Sequence, residues 1–221
     1  MNKTILYNNV RNLFIRRKSK EELYKYWKGQ DNNSPVNSPL SYTKLGHKRS
    51  NILIDLINKI NNRNKNVNIF EIGCNVGRNL NYLFEDGYIN LTATEINTTA
   101  ITLMKEVYPK LTIHSKVYNN PIEDIIKKME DNKFDIVFSM AVLQHIHKDS
   151  EWIFKEMVRI TSKYIITIED ESGASERHFP RNYRKIFENL GMAEIIRLKP
   201  IKELNYIQFR VFEKNKNLTI S

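Results

Sequence analysis

The chain has one cysteine, Cys74, in 221 residues, so no disulfide can form within it. A lone thiol fits a reducing compartment, and the expected location is cytoplasmic. No stretch approaches the ~18 consecutive apolar residues that a membrane span needs. The opening Met1-Asn2-Lys3-Thr4-Ile5-Leu6-Tyr7 lacks a long apolar stretch and a small-residue cleavage site, which argues against a secretory leader. No internal repeat is visible. Histidines and acids show no compact ligand spacing, so no metal is expected, although Glu169-Asp170-Glu171 could attract a divalent ion.

Acidic residues are in deficit: 25 against 35 Lys and Arg, for a formal charge of +10. Arg11, Arg16, Arg17, Lys18 and Lys20 supply part of that excess near the start. A basic surface suits nucleic acid, anionic lipid or phosphorylated small molecules, or is simply a solvated face. Aromatic residues are not interleaved with the basic run, and no RNA-binding module is recognisable.

A hydrophobic fraction of 41% supports one sizeable core. Residues 1–30 read as helical, with Leu13, Phe14, Leu23, Tyr24 and Trp27 as an apolar stripe and Gly29 as the stop. Residues 30–46 are turn-rich, and 47–61 carry Ile52, Leu53, Leu56, Ile57 and Ile60 on one helical face. Strands are expected near 67–73, 90–95, 111–117, 134–139 and 163–169. Helices are expected near 78–86, 97–107, 121–130 and 148–160, between and after those strands. A helix near 180–190 and two strands near 193–199 and 205–213 follow, the strands joined around Pro200 as an antiparallel edge pair. The expected fold is α/β: a Rossmann-like, seven-stranded, mostly parallel sheet with helices on both faces and an antiparallel last strand. Residues 1–62 would form an N-terminal helical cap, and 63–215 a single globular domain.

The most informative segment is Asn68-Ile69-Phe70-Glu71-Ile72-Gly73-Cys74-Asn75-Val76-Gly77-Arg78-Asn79-Leu80. An apolar strand ends in an acid, and glycines at 73 and 77 open a helix whose N-terminus offers free N–H groups. The third glycine of the dinucleotide fingerprint is missing, and Glu71 would repel a phosphate while suiting an amine-bearing ligand. Thr92-Ala93-Thr94-Glu95 ends the next strand with a second acid, ~20 residues on, where a ribose-binding carboxylate is expected. A second motif, Phe134-Asp135-Ile136-Val137-Phe138-Ser139-Met140-Ala141-Val142-Leu143-Gln144-His145-Ile146, turns from strand to loop at the sheet's carboxyl edge, where ligands bind in such folds.

These two segments resemble motifs I and IV of the class I S-adenosylmethionine-dependent methyltransferases, over about residues 67–170. Asn75 departs from that pattern, standing where a middle glycine is usual. The resemblance implies S-adenosyl-L-methionine as cofactor. Glu71, Gly73, Cys74, Asn75, Gly77, Arg78 and Asn79 would line its amino-acid end. Glu95 would take the ribose, Ile96 would pack on the adenine, and Asn119 and Asn120 would meet the adenine edge. Ser139, Met140 and Ala141 would face the sulfur and methyl group, and His47 or Arg49 would reach the carboxylate. Tyr24, Trp27, Tyr42 and residues 47–50 would form the opposite wall. The sequence has no Asn/Asp-Pro-Pro-Tyr and no Pro-Cys, which disfavours the usual routes to base-amine and pyrimidine-carbon methylation.

An oxygen acceptor needs a proton acceptor. His145 in the second motif, His178 in a lid at 169–180, and Glu169 are the candidates. His114 reads as a packing residue within the third strand, and His147 as a surface residue or helix cap. Arg177, Arg181 and Arg184 could clamp a phosphate or carboxylate. That stretch resembles methyltransferases of bacterial cell-surface sugar and capsule pathways. The expected reaction is methyl transfer to an oxygen, in preference to a nitrogen, of a small anionic metabolite such as a nucleotide-linked sugar. Alternatives are an RNA methyltransferase, an NAD-binding oxidoreductase and a non-catalytic cofactor-binding subunit. The oligomeric state is not legible.

Overall fold

The structure is a computed structural model and describes residues 14–44, 47–198 and 207–215. Leu13 and Pro200 lie outside the described residues. Among the described residues the first helices are α1 (Lys20–Lys28), α2 (Pro39–Lys44) and α3 (Lys48–Ile60). Alternating units follow: β1 (Ile69–Ile72), α4 (Arg78–Glu85), β2 (Leu91–Thr94), α5 (Thr98–Val107), α6 (Pro109–His114) and β3 (Ser115–Tyr118). The second half contains α7 (Ile122–Ile125), β4 (Phe134–Met140), α8 (Ile153–Ile160), β5 (Thr161–Glu169), α9 (Tyr183–Asn189), β6 (Met192–Arg197) and β7 (Gln208–Lys214).

The seven strands form one sheet in the order β3-β2-β1-β4-β5-β7-β6. The first five run parallel, and β7 runs antiparallel between β5 and β6. The antiparallel pair is therefore present, but β7 is interior and β6 forms the edge. Apolar side chains cover both faces. Leu53, Leu56 and Ile57 of α3 join Leu80, Met104 and Phe138 on one face. Phe70, Ile153, Phe154, Tyr183 and Phe212 build the other.

The chain order reverses at β1, which pairs with β2 on one side and β4 on the other. Such a switch point splays the loops after β1 and β4 apart and leaves a crevice at the strands' carboxyl ends. The register aligns that crevice: Ile72 pairs with both Thr94 and Ser139, so Gly73, Glu95 and Met140 each lie one residue beyond the same row.

Several elements depart from the sequence expectation. Residues 15–19 are not helical, and Phe14 is 83% exposed. The helix starts at a capping box instead: Glu22 N–H donates to Ser19 Oγ, and Ser19 N–H donates to Glu22 Oε2. Residues 39–44, within the expected loop, form α2. The region read as the third strand begins as helix α6, with Pro109 at its first position, and the strand itself is displaced to Ser115–Tyr118. His114 ends that helix, where its Nδ1 contacts Lys110 O at 2.9 Å.

Candidate functional site

A cavity of about 290 Å³ opens at the carboxyl ends of β1, β2 and β4, beneath α1. Its sheet side is lined by Gly73, Asn75, Glu95, Ile96, Asn120 and Met140. Its cap side is lined by Leu23, Tyr24, Trp27 and Tyr42, while residues 47–50 are not part of the lining. Asn97 ties the cap down. Its side-chain N–H groups donate to Trp27 O at 2.9 Å and Gln30 O at 2.8 Å, and its Oδ1 accepts from Ala100 N at 2.8 Å. Sequence reading missed Asn97, although an Asn just ahead of a helix is a recognisable N-cap signal.

The loop after β1 needs unusual backbone angles. Gly73 has φ +74°, and a Cβ there would sit 2.5 Å from a Val142 methyl. Gly77 has φ +71°, and its Cβ would meet Met104. The two glycines therefore admit protein neighbours, Val142 and Met104. Asn75 also lies in the left-handed region, at φ 50°. Among non-glycine residues Asn tolerates that conformation well, because its short amide bonds locally. Here Asn75 Oδ1 accepts from Val76 N at 2.8 Å. That explains how Asn replaces a glycine at this position.

Glu95 is 7% exposed, and its carboxylate holds the loop: Oε2 accepts from Asn75 N at 2.7 Å and Oε1 from Asn97 N at 2.8 Å. Each oxygen keeps a second lone pair for a further donor. Burial raises its pKa, partly offset by those N–H bonds. Asn119 does not line the cavity; its amide donates to Glu95 O at 2.9 Å. Asn120 lines it, with its carbonyl accepting from Thr94 Oγ1.

Behind Gly73 a buried polar corner forms. Ser50 Oγ donates to Asn79 Oδ1 at 2.8 Å, and Asn79 Nδ2 donates to Glu71 Oε1 at 2.7 Å. Glu71 Oε2 has no hydrogen-bond partner among the described residues, and burial pushes the carboxyl up to about 8 against the pull of Asn79 and Arg78. Arg78 Nε is likewise buried without a partner among the described residues, and a terminal nitrogen of its guanidinium lies 3.8 Å from Met140 Sδ. Arg49 is partly buried; burial and then the neighbouring Arg78 charge lower its pKa. His47 instead contacts Tyr82 Oη. Cys74 is 4% exposed, with its thiol pushed well up by burial.

The three candidate bases separate clearly. Glu169 is fully buried and does not itself line the cavity. It accepts from Ser139 Oγ at 2.7 Å and from the N–H groups of Val142, Leu143 and Gln144, each at 3.2 Å. Burial pushes it up to about 7, with those bonds opposing. It therefore pins the loop after β4, and Ser139 is turned to it. Ala141 adopts φ 57° in that loop, a strained angle for a residue with a Cβ. His178 is 5% exposed and also outside the cavity, with Nε2 bonded to Asp170 O at 2.8 Å. Only His145 lines the cavity. Its ring lies 4.9 Å from that of Trp27, and burial lowers it to about 4, keeping it neutral near pH 7.

The segment read as a mobile lid is bonded at many points. Lys18 N donates to Glu176 O at 2.9 Å, Arg17 Nε to His178 O at 2.6 Å, and Phe179 N to Gln144 O at 2.8 Å. Gly173 is packed against the His178 ring, where a Cβ would fall 2.2 Å from Cε1, so a hinge is not needed to explain it. The proposed arginine clamp does not form. Arg181 is 7% exposed and precedes α9; it donates to Leu143 O, Ile146 O and Glu151. Arg184 pairs with Glu188 at 2.8 Å, and Arg177 stacks over Tyr26 at 4.1 Å. Gln144, Ile122, Glu123, Lys20 and His147 line the cavity without having been singled out for it. Ile122 and Glu123 follow the Asn-Pro turn after the third strand, which was the available signal. Among the described residues, no group of three His, Cys, Asp or Glu converges to hold a metal, and no helix is long and apolar enough to cross a membrane.

Residues 70–164, from within β1 to within β5, match the family model of a methyltransferase domain. The fold is similar to that of magnesium protoporphyrin IX methyltransferase from Synechocystis PCC 6803, solved with bound S-adenosylmethionine. That likeness has a TM-score of 0.63 at 12% identity and covers 97% of this chain and 98% of the other. A putative sarcosine dimethylglycine methyltransferase from Galdieria sulphuraria is similar at TM-score 0.63 and 13% identity, covering 88% of this chain and 97% of that one. Residues 70–164 thus carry a methyltransferase domain, set on a sheet of the Rossmann-like methyltransferase fold. Its cofactor is S-adenosyl-L-methionine.

Proposed function

We propose that the chain methylates an oxygen of a small molecule held between the β4 loop and the N-terminal cap. The observation that carries this reading is the cavity itself, which the cap helix covers and in which His145 is the only one of the three candidate bases. The residues present fit the cofactor. Glu71, with one oxygen unpartnered, suits its ammonium group, and Arg49 with Arg78 suits its carboxylate. Glu95 suits the ribose diol, while Ile96 and Asn120 suit the adenine. When bound, the cofactor supplies an electrophilic methyl group on a sulfonium, whose C–S electron pair stays on sulfur. The protein's task is to hold the acceptor oxygen in line and to take its proton.

A cap spanning residues 14–44, bonded down through Asn97, favours a small acceptor over RNA. We assign residues 63–215 to the methyltransferase domain and α1 and α2 to the cap, while α3 shares the main core. The anionic handle expected of a nucleotide-linked sugar does not rest on Arg181, which is buried on carbonyls, or on Arg184, which pairs with Glu188 at the surface; among the described residues lining the cavity, Lys20 is a cation that could take it. A screen of hydroxyl-bearing metabolites with S-adenosylmethionine, read as S-adenosylhomocysteine formed and one methyl gained by the acceptor, tests the reading. Methylation confined to RNA or to amines would overturn it.

A further inference from the structure

The polar contacts of His145 form a chain whose polarity is set at both ends by backbone groups that cannot flip. At one end, Asp170 N donates to Gln144 Oε1 at 2.7 Å. An N–H can only donate, so the amide oxygen of Gln144 faces Asp170 and its NH2 faces the histidine. At the other end, His145 Nδ1 lies 2.7 Å from Arg177 O. A carbonyl can only accept, so Nδ1 carries the proton. Between them, Gln144 Nε2 lies 3.2 Å from His145 Nε2. The amide donates there, and Nε2 bears the lone pair. Three bonds thus specify one tautomer of a neutral ring.

We propose that Gln144 is a positioning residue for the methyl transfer: it holds His145 in the Nδ1–H tautomer and occupies Nε2 until the acceptor's hydroxyl takes its place. This rests on the methyltransferase reading above. Both side chains line the cavity, so an arriving O–H can replace the amide N–H as the donor to Nε2. As the acceptor oxygen's lone pair forms the new C–O bond, the O–H proton passes to Nε2. The resulting imidazolium keeps its Nδ1–H on Arg177 O. Methyl transfer would break the C–S bond with its electron pair left on sulfur, so the products are the methyl ether, S-adenosylhomocysteine and a protonated His145, whose proton then leaves to solvent.

The groups facing the ring fit this role. Trp27 covers it, the His178 ring lies 5.7 Å away edge-on, and the Arg177 charge is close enough to oppose protonation. Burial is the largest influence, keeping the ring uncharged and available as a base near neutral pH. Asp170 and Arg177 both belong to the segment after β5, so the same bonds register that segment on the β4 loop.

Nitrogen-15 NMR of the full-length protein labelled at histidine tests the proposal, with His145→Gln identifying the resonances. The wild type should show a pyridine-like Nε2 and a pyrrole-like Nδ1. Gln144→Glu keeps an acceptor for Asp170 N–H but replaces the donor to Nε2 with a carboxylate. It should move the His145 titration up by at least tenfold in proton affinity and convert Nε2 to pyrrole-like. A wild-type ring protonated at Nε2, or a Gln144→Glu titration unchanged from wild type, would overturn the proposal. The first of these needs no variant. Calorimetry of wild-type protein with S-adenosylhomocysteine reads the cofactor assignment separately, so the two can fail independently.

Discussion

Glu71 gives the sharpest quantitative consequence, because its carboxyl sits fully inside the protein with one oxygen unpartnered. Burial holds it at about 8, so near pH 7 the free protein carries it mostly protonated. If only the ionised form accepts the cofactor's ammonium, cofactor binding must release that proton. At pH 7 the ionised fraction is about 0.1, so about 0.9 proton should leave per binding event. Apparent affinity should rise roughly tenfold from pH 6 to 7 and about fivefold from 7 to 8, following the competent fraction. Calorimetric titration with S-adenosylhomocysteine in buffers of different ionisation enthalpy measures the proton count directly. Glu71→Gln should abolish the release and flatten the profile. The fold responds with the opposite sign. A carboxyl whose folded pKa lies above its unfolded value stabilises fully below about 4.5, and that contribution is lost as pH rises through about 8. Ligand-induced gain in melting temperature should therefore widen over the same interval. No proton exchange at pH 7, or an affinity flat from pH 6 to 8, would refute the reasoning.

Other expectations are independent of that linkage. Glu95→Ala should weaken S-adenosylhomocysteine binding by ~1.5–3 kcal/mol, the scale of charge-assisted hydrogen bonds; unchanged affinity in calorimetry would remove Glu95 from the site. Gly73→Ala should lower stability to urea by ~1–3 kcal/mol through overpacking on Val142, beyond the strain of its positive φ. Val142→Ala in the same chain should restore part of the loss, and strict additivity would count against the contact. Arg210 is 4% exposed and holds Glu171 at 2.6 Å and Glu194 at 2.5 Å. Arg210→Met should cost ~3 kcal/mol of folding stability, because Glu171 loses the guanidinium and Glu194 keeps only the longer pair with Arg184; a change under ~1 kcal/mol in denaturant titration would show that they are solvated instead.

The parts of this architecture that were legible are those with local signals. The buried runs of β1 and β4 and the acids at 71 and 95 mark the strand ends, and parallel pairing then brings Gly73, Glu95 and Met140 to one level. The third strand was obscured because Leu111 and Ile113 alternate as in a strand, while Pro109 starts a helix and the strand proper is the short Ser115–Tyr118. The arginines misled for a different reason. Arg177, Arg181 and Arg184 form a basic run in sequence, yet Arg181 satisfies carbonyls of residues 143 and 146, a long-range choice with no local mark. Gln144 was invisible on the same ground. Its meaning depends on Asp170 N, 26 positions away, and on a neighbouring ring fixed by residue 177. His178 and Glu169 carry the right chemistry for a base but are buried by the segment they organise.

The most direct test of the central claim is where the cofactor's product sits. Backbone amide NMR of the labelled protein titrated with S-adenosylhomocysteine should show one-to-one binding. The largest shifts should fall at Gly73, Asn75, Ile96 and Ala141. A second cavity, bordered by Asn61, Asp135 and Tyr164, should stay silent. No binding by the folded protein, or shifts centred on that second cavity, would contradict the account.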